Sequence, residues 1–270
     1  MCLLIMLAQT HPDFPLIVAA NRDELLDRPA VPMTVLRETG PRVLGGRDEL
    51  AGGTWLAVND AGVVAGITNR PTSAGRDPSK RSRGELPIAL GRHTSAAAAV
   101  EAFGSTVRSS DYNSACLLVG DRDSVFAIDI TGHDSPVIRP LPPGIHILEN
   151  RPVGTESPKA NHVSQLLAGG DRLPDGPLVR RLQAVLSDHE LPPGPSAVDE
   201  AGIEAPPQVN AACVHTERYG TRWSSVIMVP GDPAHPPTVR YADGPPCRVR
   251  YRDASSLWCH TQREGTTPRH

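Results

Sequence analysis

The chain is poor in several things that would assign it quickly. Phe, Trp and Tyr together make up 4% of its 270 residues, against 28 prolines, a balance that favours loops and β-structure over long helices. Its five cysteines (2, 116, 213, 247 and 259) are odd in number and widely spaced, with no C-x-x-C pair. They supply neither a disulfide framework nor a zinc framework and fit a reducing compartment. The longest apolar run, near residues 2–8, is too short to span a bilayer and lacks the basic flank and cleavage site of a signal peptide. A cytoplasmic location is therefore expected. Charge of neither sign dominates: 27 basic and 30 acidic residues leave a net charge of −3, so no nucleic acid or membrane surface is expected as a partner. No glycine-rich phosphate loop of the P-loop or dinucleotide-binding type is present, nor any repeat at solenoid period. The ten histidines are scattered and His215 has no partner at metal-ligand spacing, so neither a metal nor a cofactor is expected.

What is present reads as strands and helices in blocks. Leu3–Leu7 and Pro15–Ala20 are short apolar strands, the second ending at the charged Asn21-Arg22-Asp23-Glu24. Residues 29–50, with Pro29, Pro32 and Pro41, read as irregular. The clearest hairpin follows: Thr54–Val58, a turn at Asn59-Asp60-Ala61-Gly62, and Val63–Thr68. Residues 72–83 form a polar, basic loop, either an exposed segment or a lid contacting an anionic substrate. Helices are expected near 83–91 and 94–103, the second capped by Thr94-Ser95. Strands are expected at 115–119, 124–130 and 145–148, then helices at 159–168 and 177–188. A loop at 189–210 precedes strands at 223–229, near 238–242 and at 247–252. Hairpin-linked β blocks separated by helical pairs indicate an α+β architecture, antiparallel sheets with helices layered outside. One domain over residues 1–253 and a polar tail at 254–270 are expected. The length suffices for a sizeable core; the oligomeric state stays open.

The residue with the most chemistry is Cys2. Cysteine is small enough for Met1 to be removed, which would leave a thiol and an α-amine on one Cα. An α-amine, with a reference pKa of about 7.7–8.0, can act as base for its own side chain. Pairing of the first two strands would bring the Asn21–Glu24 cluster beside it. A buried, inert cysteine and a solvated charged turn are the plain alternatives. His146 and His162 lie near Asn150 in sequence, but a first-residue cysteine needs no histidine. Trp55 reads as core.

Asn21-Arg22-Asp23-Glu24 is the tetrapeptide that names the NRDE family, also called the transport and Golgi organisation protein 2 family. Cys2, Gly52-Gly53-Thr54-Trp55-Leu56-Ala57-Val58-Asn59, Gly62, Thr68-Asn69-Arg70 and Tyr219-Gly220-Thr221-Arg222 resemble segments of that family in the same order, over roughly residues 1–250. The family in turn resembles the N-terminal nucleophile hydrolases, among them the choloylglycine and penicillin V hydrolases, whose fold is a four-layer αββα sandwich. In that group a Met-Cys start is processed to a free N-terminal cysteine. Ala65-Gly66-Ile67-Thr68-Asn69, Leu148-Glu149-Asn150-Arg151-Pro152 and Trp223-Ser224-Ser225 stand where that group has its own motifs, with spacing that departs at Arg22 and, by one residue, at Asn69.

The resemblance implies a cysteine hydrolase or acyltransferase cleaving a small amide or acyl-thioester through an acyl-Cys2 intermediate. It implies Asp23 orienting the amine or thiol, Arg22 lowering the thiol pKa, and oxyanion donors from the Asn69 N–H and the Asn150 side chain. Asn21, Glu24, Arg70 and Arg222 are then substrate-binding candidates; Arg222 could grip a carboxylate or phosphate or pair with Glu24 or another acid. The alternative is a binding or carrier protein for acyl-CoA, lipid or haem on the same fold.

Overall fold

The structure is a computed structural model and describes residues 2–73, 75–132, 135–170, 173–194 and 205–259. Two antiparallel sheets face each other. The first is six-stranded, in the order β10-β1-β2-β11-β12-β13; the second is seven-stranded and runs β3 to β9 in sequence order. In the first sheet β1 is Leu3–Ala8, β2 Leu16–Leu25, β10 Gly144–Leu148, β11 Tyr219–Val229, β12 Thr238–Ala242 and β13 Arg252–Asp253. In the second, β3 is Ala30–Arg37, β4 Val43–Asp48, β5 Leu56–Asn59, β6 Val64–Asn69, β7 Ala115–Gly120, β8 Val125–Ile130 and β9 Val137–Leu141. Helices α1 (Glu85–Leu90) and α2 (Ala96–Thr106) cover the outer face of the second sheet, and α3 (Pro158–Leu167) and α4 (Asp175–Leu186) that of the first.

The period-two alternation of the strands builds this layering. On β1 and β2, Leu4, Met6, Ala8, Leu16, Val18 and Ala20 enter the core between the sheets. The intervening Leu3, Ile5, Leu7, Ile17 and Ala19 pack on Val163, Leu167, Leu178, Leu182 and Leu186 of α3 and α4. A third core joins Val63, Ala65, Leu117, Val119 and Ile128 to Leu86, Leu90, Ala99 and Phe103 of α1 and α2. Strands buried on both faces read as unbroken apolar runs, which is why β1 and β7 were conspicuous in the sequence. Ser95 caps α2, its side chain accepting from Ala98 N, and Gly62 takes φ +94° in the turn closing the β5–β6 hairpin, a conformation without penalty only for glycine.

Several expectations are corrected, among them the strand at 247–252, of which only the Arg252 end is strand, the rest being turn and irregular chain. Residues 29–50 are not irregular but hold β3 and β4; Pro32 is accommodated because β3 is the edge of its sheet, beside a register shift between Val31 and Thr34, where a missing N–H costs no ladder bond. β2 does not stop at the charged cluster but runs through it, because β11 pairs with it as far as Leu25–Tyr219. β9, short and exposed, was not foreseen. The start of the expected tail is docked: Trp258 Nε1 donates to Pro237 O at 2.8 Å and Arg42 Nε to Leu257 O at 2.7 Å. Residues 260–270, and 195–204 of the expected 189–210 loop, lie outside the described residues.

Candidate active site

The β1–β2 register sets Leu3 opposite Asn21, so Cys2 enters the structure alongside Arg22 and Asp23. Because Asn21–Glu24 lies within a strand, its side chains part to two faces. Arg22 and Glu24 point between the sheets, into a cleft of about 1240 Å³ whose lining includes Cys2, Asp23, Asn69 and Asn150. Asn21 turns to the helix side, where its buried Nδ2 donates to Leu186 O and Ala212 O, both at 2.8 Å. It ties β2 to α4 and does not line the cleft.

Cys2 is half-buried at the cleft. Its N–H donates to Asn150 Oδ1 at 3.1 Å, and Asn150 Nδ2 donates to Asn69 O at 2.5 Å. One amide side chain thus bridges the start of β1 to the end of β6, joining the two sheets at the site. Burial raises the Cys2 thiol above its ordinary pKa; the Asp23 charge acts in the same direction, and the amino-terminal charge, a hydrogen bond from the Asp23 backbone N–H and Arg22 oppose. The expected lowering by Arg22 is present but outweighed, because desolvation penalises the thiolate more.

Asp23 is buried, its Oδ1 accepting from Thr221 Oγ1 at 2.6 Å, while its carbonyl accepts from Tyr219 Oη at 2.7 Å. Burial raises this carboxyl too, against Lys159, the amino-terminal charge, the Thr221 hydroxyl and Arg22. Arg22 is held by a network the sequence did not announce. Its Nη2 meets Asp48 Oδ2 at 2.9 Å and Glu24 Oε2 at 3.5 Å, and its guanidinium lies 4.4 Å from the Trp55 ring centre. Arg28 Nε closes the network on Asp48 at 2.6 Å. Burial works against the Asp48 charge, but the hydrogen bonds from Arg28 and the Ala51 N–H, with the charges of Arg28 and Arg22, hold its carboxyl below the usual range. Trp55 packs against the core as expected and is also a wall of the cleft, edge-on to Trp223 at 5.3 Å.

Two further expected residues sit elsewhere. Between Thr221 and Trp223 the β2–β11 register slips, and this bulge throws Arg222 outward. Its Nη1 donates to the carbonyls of Leu25, Leu26 and Arg28, so it caps the end of β2 and is absent from the cleft lining. Arg70 lies past the end of β6, in a small depression with Thr72, Arg76 and Ser114, not in the main cleft. The 72–83 loop does border the cleft, through Ser73, Gly75, Arg76, Lys80 and Arg81 among others. The Gly-Gly-Thr-Trp stretch also has a steric reason: a Cβ on Gly53 would lie 2.4 Å from the Gly84 backbone, where Thr54 N donates to Gly84 O at 2.8 Å.

Sequence reasoning missed Asp48, Arg28, Thr221 and Lys159. Only Thr221 carried a signal, as part of Tyr219–Arg222; Asp48 comes from a segment read as irregular, Lys159 from one read as helical, and Arg28 from a stretch given no reading. It also missed a gathering of His189, Cys213, His215 and Cys247, whose ligating atoms all lie within 4.8 Å of one another. His215 has no partner at metal-ligand spacing along the sequence, yet the segments carrying His189 and Cys247, distant in sequence, converge on it in the fold.

A family model described as Transport and Golgi organisation 2 matches residues 1–235. The chain belongs to the Transport and Golgi organisation 2 family. The Transport and Golgi organization protein 2 homolog of Bos taurus is 32% identical over 234 residues, covering 81% of this chain and 83% of the bovine protein. The homolog of Mus musculus is 29% identical over 231 residues, covering 80% and 82%. Among solved structures, a Caenorhabditis elegans ortholog of N-acylethanolamine-hydrolyzing acid amidase has a TM-score of 0.54 at 14% identity, covering 87% of this chain and 95% of that one. A C2A mutant of conjugated bile acid hydrolase from Clostridium perfringens has a TM-score of 0.49 at 12% identity, covering 95% and 93%. This member of the Transport and Golgi organisation 2 family thus has the expected α+β sandwich of two antiparallel sheets with outer helices, a fold it shares with that amidase ortholog. No helix among its described residues is long and apolar enough to cross a membrane.

Proposed function

We propose that the chain is a cysteine N-terminal nucleophile hydrolase or acyltransferase acting on a small amide or acyl-thioester. The supporting observation is the placement of Cys2 at an open cleft, its nitrogen held by Asn150 and its sulfur accepting from the Asp23 N–H. The reading requires removal of Met1, which turns the Cys2 nitrogen into a basic amine. The thiol proton passes to that amine as sulfur attacks the substrate carbonyl carbon. The tetrahedral adduct collapses, the C–N or C–S bond breaks, and the leaving group departs with the proton. Water, or an acceptor amine in a transfer, then attacks the acyl-Cys2 carbonyl, gives up a proton to the same amine and frees the thiol.

Asn150 orients the amine through Oδ1; its Nδ2, already bonded to Asn69 O, has a second N–H with which to meet the oxyanion. Arg22, fixed by Asp48 and Trp55, lends positive charge without facing substrate as a free cation. A thiol raised by burial suits this scheme: the proton is retained until substrate arrives and the adjacent amine takes it. Intact mass and activity-based labelling with an acyl electrophile test the reading. The expected result is a chain lacking Met1 and modified at Cys2; labelling unaffected by Cys2→Ala would sink it.

A carrier role is the second reading, favoured by the size of the cleft and by Arg76 and Lys80 on its border. Stoichiometric, tight binding of an acyl-CoA, lipid or haem that persists in Cys2→Ala, with no turnover in the wild type, would select it.

A further inference from the structure

Behind Asp23, on the side away from the cleft, a turn after α4 brings His189, an extended segment before β11 brings Cys213 and His215, and the turn after β12 brings Cys247. The closest approaches are His215 Nε2 to Cys247 Sγ at 3.2 Å, Cys213 Sγ to His215 Nε2 at 3.7 Å and Cys213 Sγ to Cys247 Sγ at 3.8 Å. His189 joins with its ring centre 5.0 Å from that of His215, its Nδ1 oriented by the Cys213 carbonyl at 3.0 Å. A tetrahedral zinc ion with Zn–S of about 2.3 Å and Zn–N of about 2.05 Å needs S···S near 3.8 Å and S···N near 3.6 Å. Two of these spacings, Cys213 to His215 and Cys213 to Cys247, are of that size; His215 to Cys247 is about 0.4 Å shorter, and the His189 donor lies within 4.8 Å of the others.

We propose that His189, Cys213, His215 and Cys247 form a structural Cys2His2 zinc site. All four donors are neutral or thiol groups of the soft and borderline type that zinc prefers over magnesium or calcium, and no carboxylate is among them. The His189 Nδ1 contact to a backbone carbonyl is the outer support that presents Nε2 to an ion. On binding, both thiols lose their protons to solvent and two Zn–S bonds form, so the ion replaces two S–H bonds with no change of oxidation state.

The backbone around the donors is ready to hold them. Cys213 N donates to Asp188 O at 2.8 Å, Val214 N to Thr221 Oγ1 at 2.8 Å and Thr221 N to Val214 O at 2.9 Å. Thr221 is the residue whose hydroxyl also bonds Asp23, so the ion would clamp the segment that supports the back of the active-site strand. It would also join the chain after β12 to the turn after α4, two segments that no strand pairing connects.

The test uses the full-length chain without a histidine tag, purified with and without added zinc, its metal content measured, then chelated and titrated with Co²⁺. Stoichiometric zinc is expected, with the visible bands of tetrahedral cobalt and a near-ultraviolet thiolate charge-transfer band. Cys213 is buried, so its replacement disturbs packing as well as any ligation; Cys247→Ser and His189→Ala, at exposed positions, carry the test. Each should weaken zinc binding by more than about 100-fold, and Cys247→Ser should also lose most of the charge-transfer band. Zinc should raise the melting temperature of the wild type and not of Cys247→Ser. Sub-stoichiometric metal after zinc loading, unchanged cobalt spectra in either variant, or a Cys213–Cys247 disulfide in protein purified under reducing conditions would overturn the assignment.

Discussion

Cys2 and Cys213 approach the same carboxylate from different directions, and the charge of Asp23 raises both thiols. In each, burial is the larger cause, and Cys213 is pushed up to about 12 with Cys247 adding to the effect. The thiols differ in everything else. Cys2 opens on a cleft, with an amide oxygen on its nitrogen and a guanidinium on the neighbouring strand. Cys213 is closed in by a second thiol and an imidazole. A raised thiol pKa therefore does not distinguish a nucleophile from a metal ligand. What separates them is whether the surroundings leave space for a carbonyl or converge on one point.

The sharpest way to break this contrast is to remove each sulfur in turn. Cys2→Ala should lower turnover by about 10⁴-fold or more, whereas Cys247→Ser should leave it within a few-fold; steady-state rates on one acyl-amide substrate measure both. Equal losses would mean that the two sites act as one. Next in size, Asn150→Ala should cost about 10²–10³ in kcat by removing the contact to the Cys2 nitrogen and an oxyanion donor, with KM less affected. Asp48→Ala should destabilise the fold by about 3 kcal/mol in urea unfolding, since it leaves Arg22 buried beside Trp55 with half its network gone.

The two buried acids should also respond oppositely to pH. Asp48 is held below 3.8 in the folded chain, so its contribution to stability is present above that value and lost as pH falls through its folded pKa. Asp23 is raised above 3.8; its contribution is present below that value and lost as pH rises through its folded pKa. Asp23→Asn should therefore gain stability relative to wild type as pH increases, while losing activity; urea midpoints between pH 4 and 8, read with rates, check the sign. The smallest effect is expected of Arg222→Ala. The guanidinium caps backbone carbonyls away from the cleft, so KM should hold within about twofold and stability should fall by about 1 kcal/mol.

Much of the fold was legible because burial and period agree along these strands. Leu3–Leu7, Ala115–Val119 and Leu178–Leu186 carry their layer in their spacing, and the Asn59–Gly62 turn is written in its residue types. The Ala30–Arg37 strand was hidden by Pro32, whose tolerance depends on its being at a sheet edge, a tertiary fact. The site divides in the same way. Cys2, Asp23, Asn69 and Asn150 were expected at the cleft and do line it. Asn21 and Arg222 were expected there and are turned away, one by strand alternation and the other by a bulge that no residue type announces. Trp55 was read as core and does pack against it; that it also walls the cleft, under the Arg22 guanidinium, is a tertiary fact.

Sequence alone determined the layers, through alternating and continuous apolar patterns that can be buried in only one way, and it determined that a thiol stands beside a charged strand. Tertiary structure decided which face each member of Asn21–Glu24 presents, because β11 pairing extends β2 and so imposes alternation on what reads locally as a turn. It also decided that His189, Cys213, His215 and Cys247 meet. Local pattern reaches only a few residues along the chain, and those four are brought together by three loops whose ends are set by different strands and a helix.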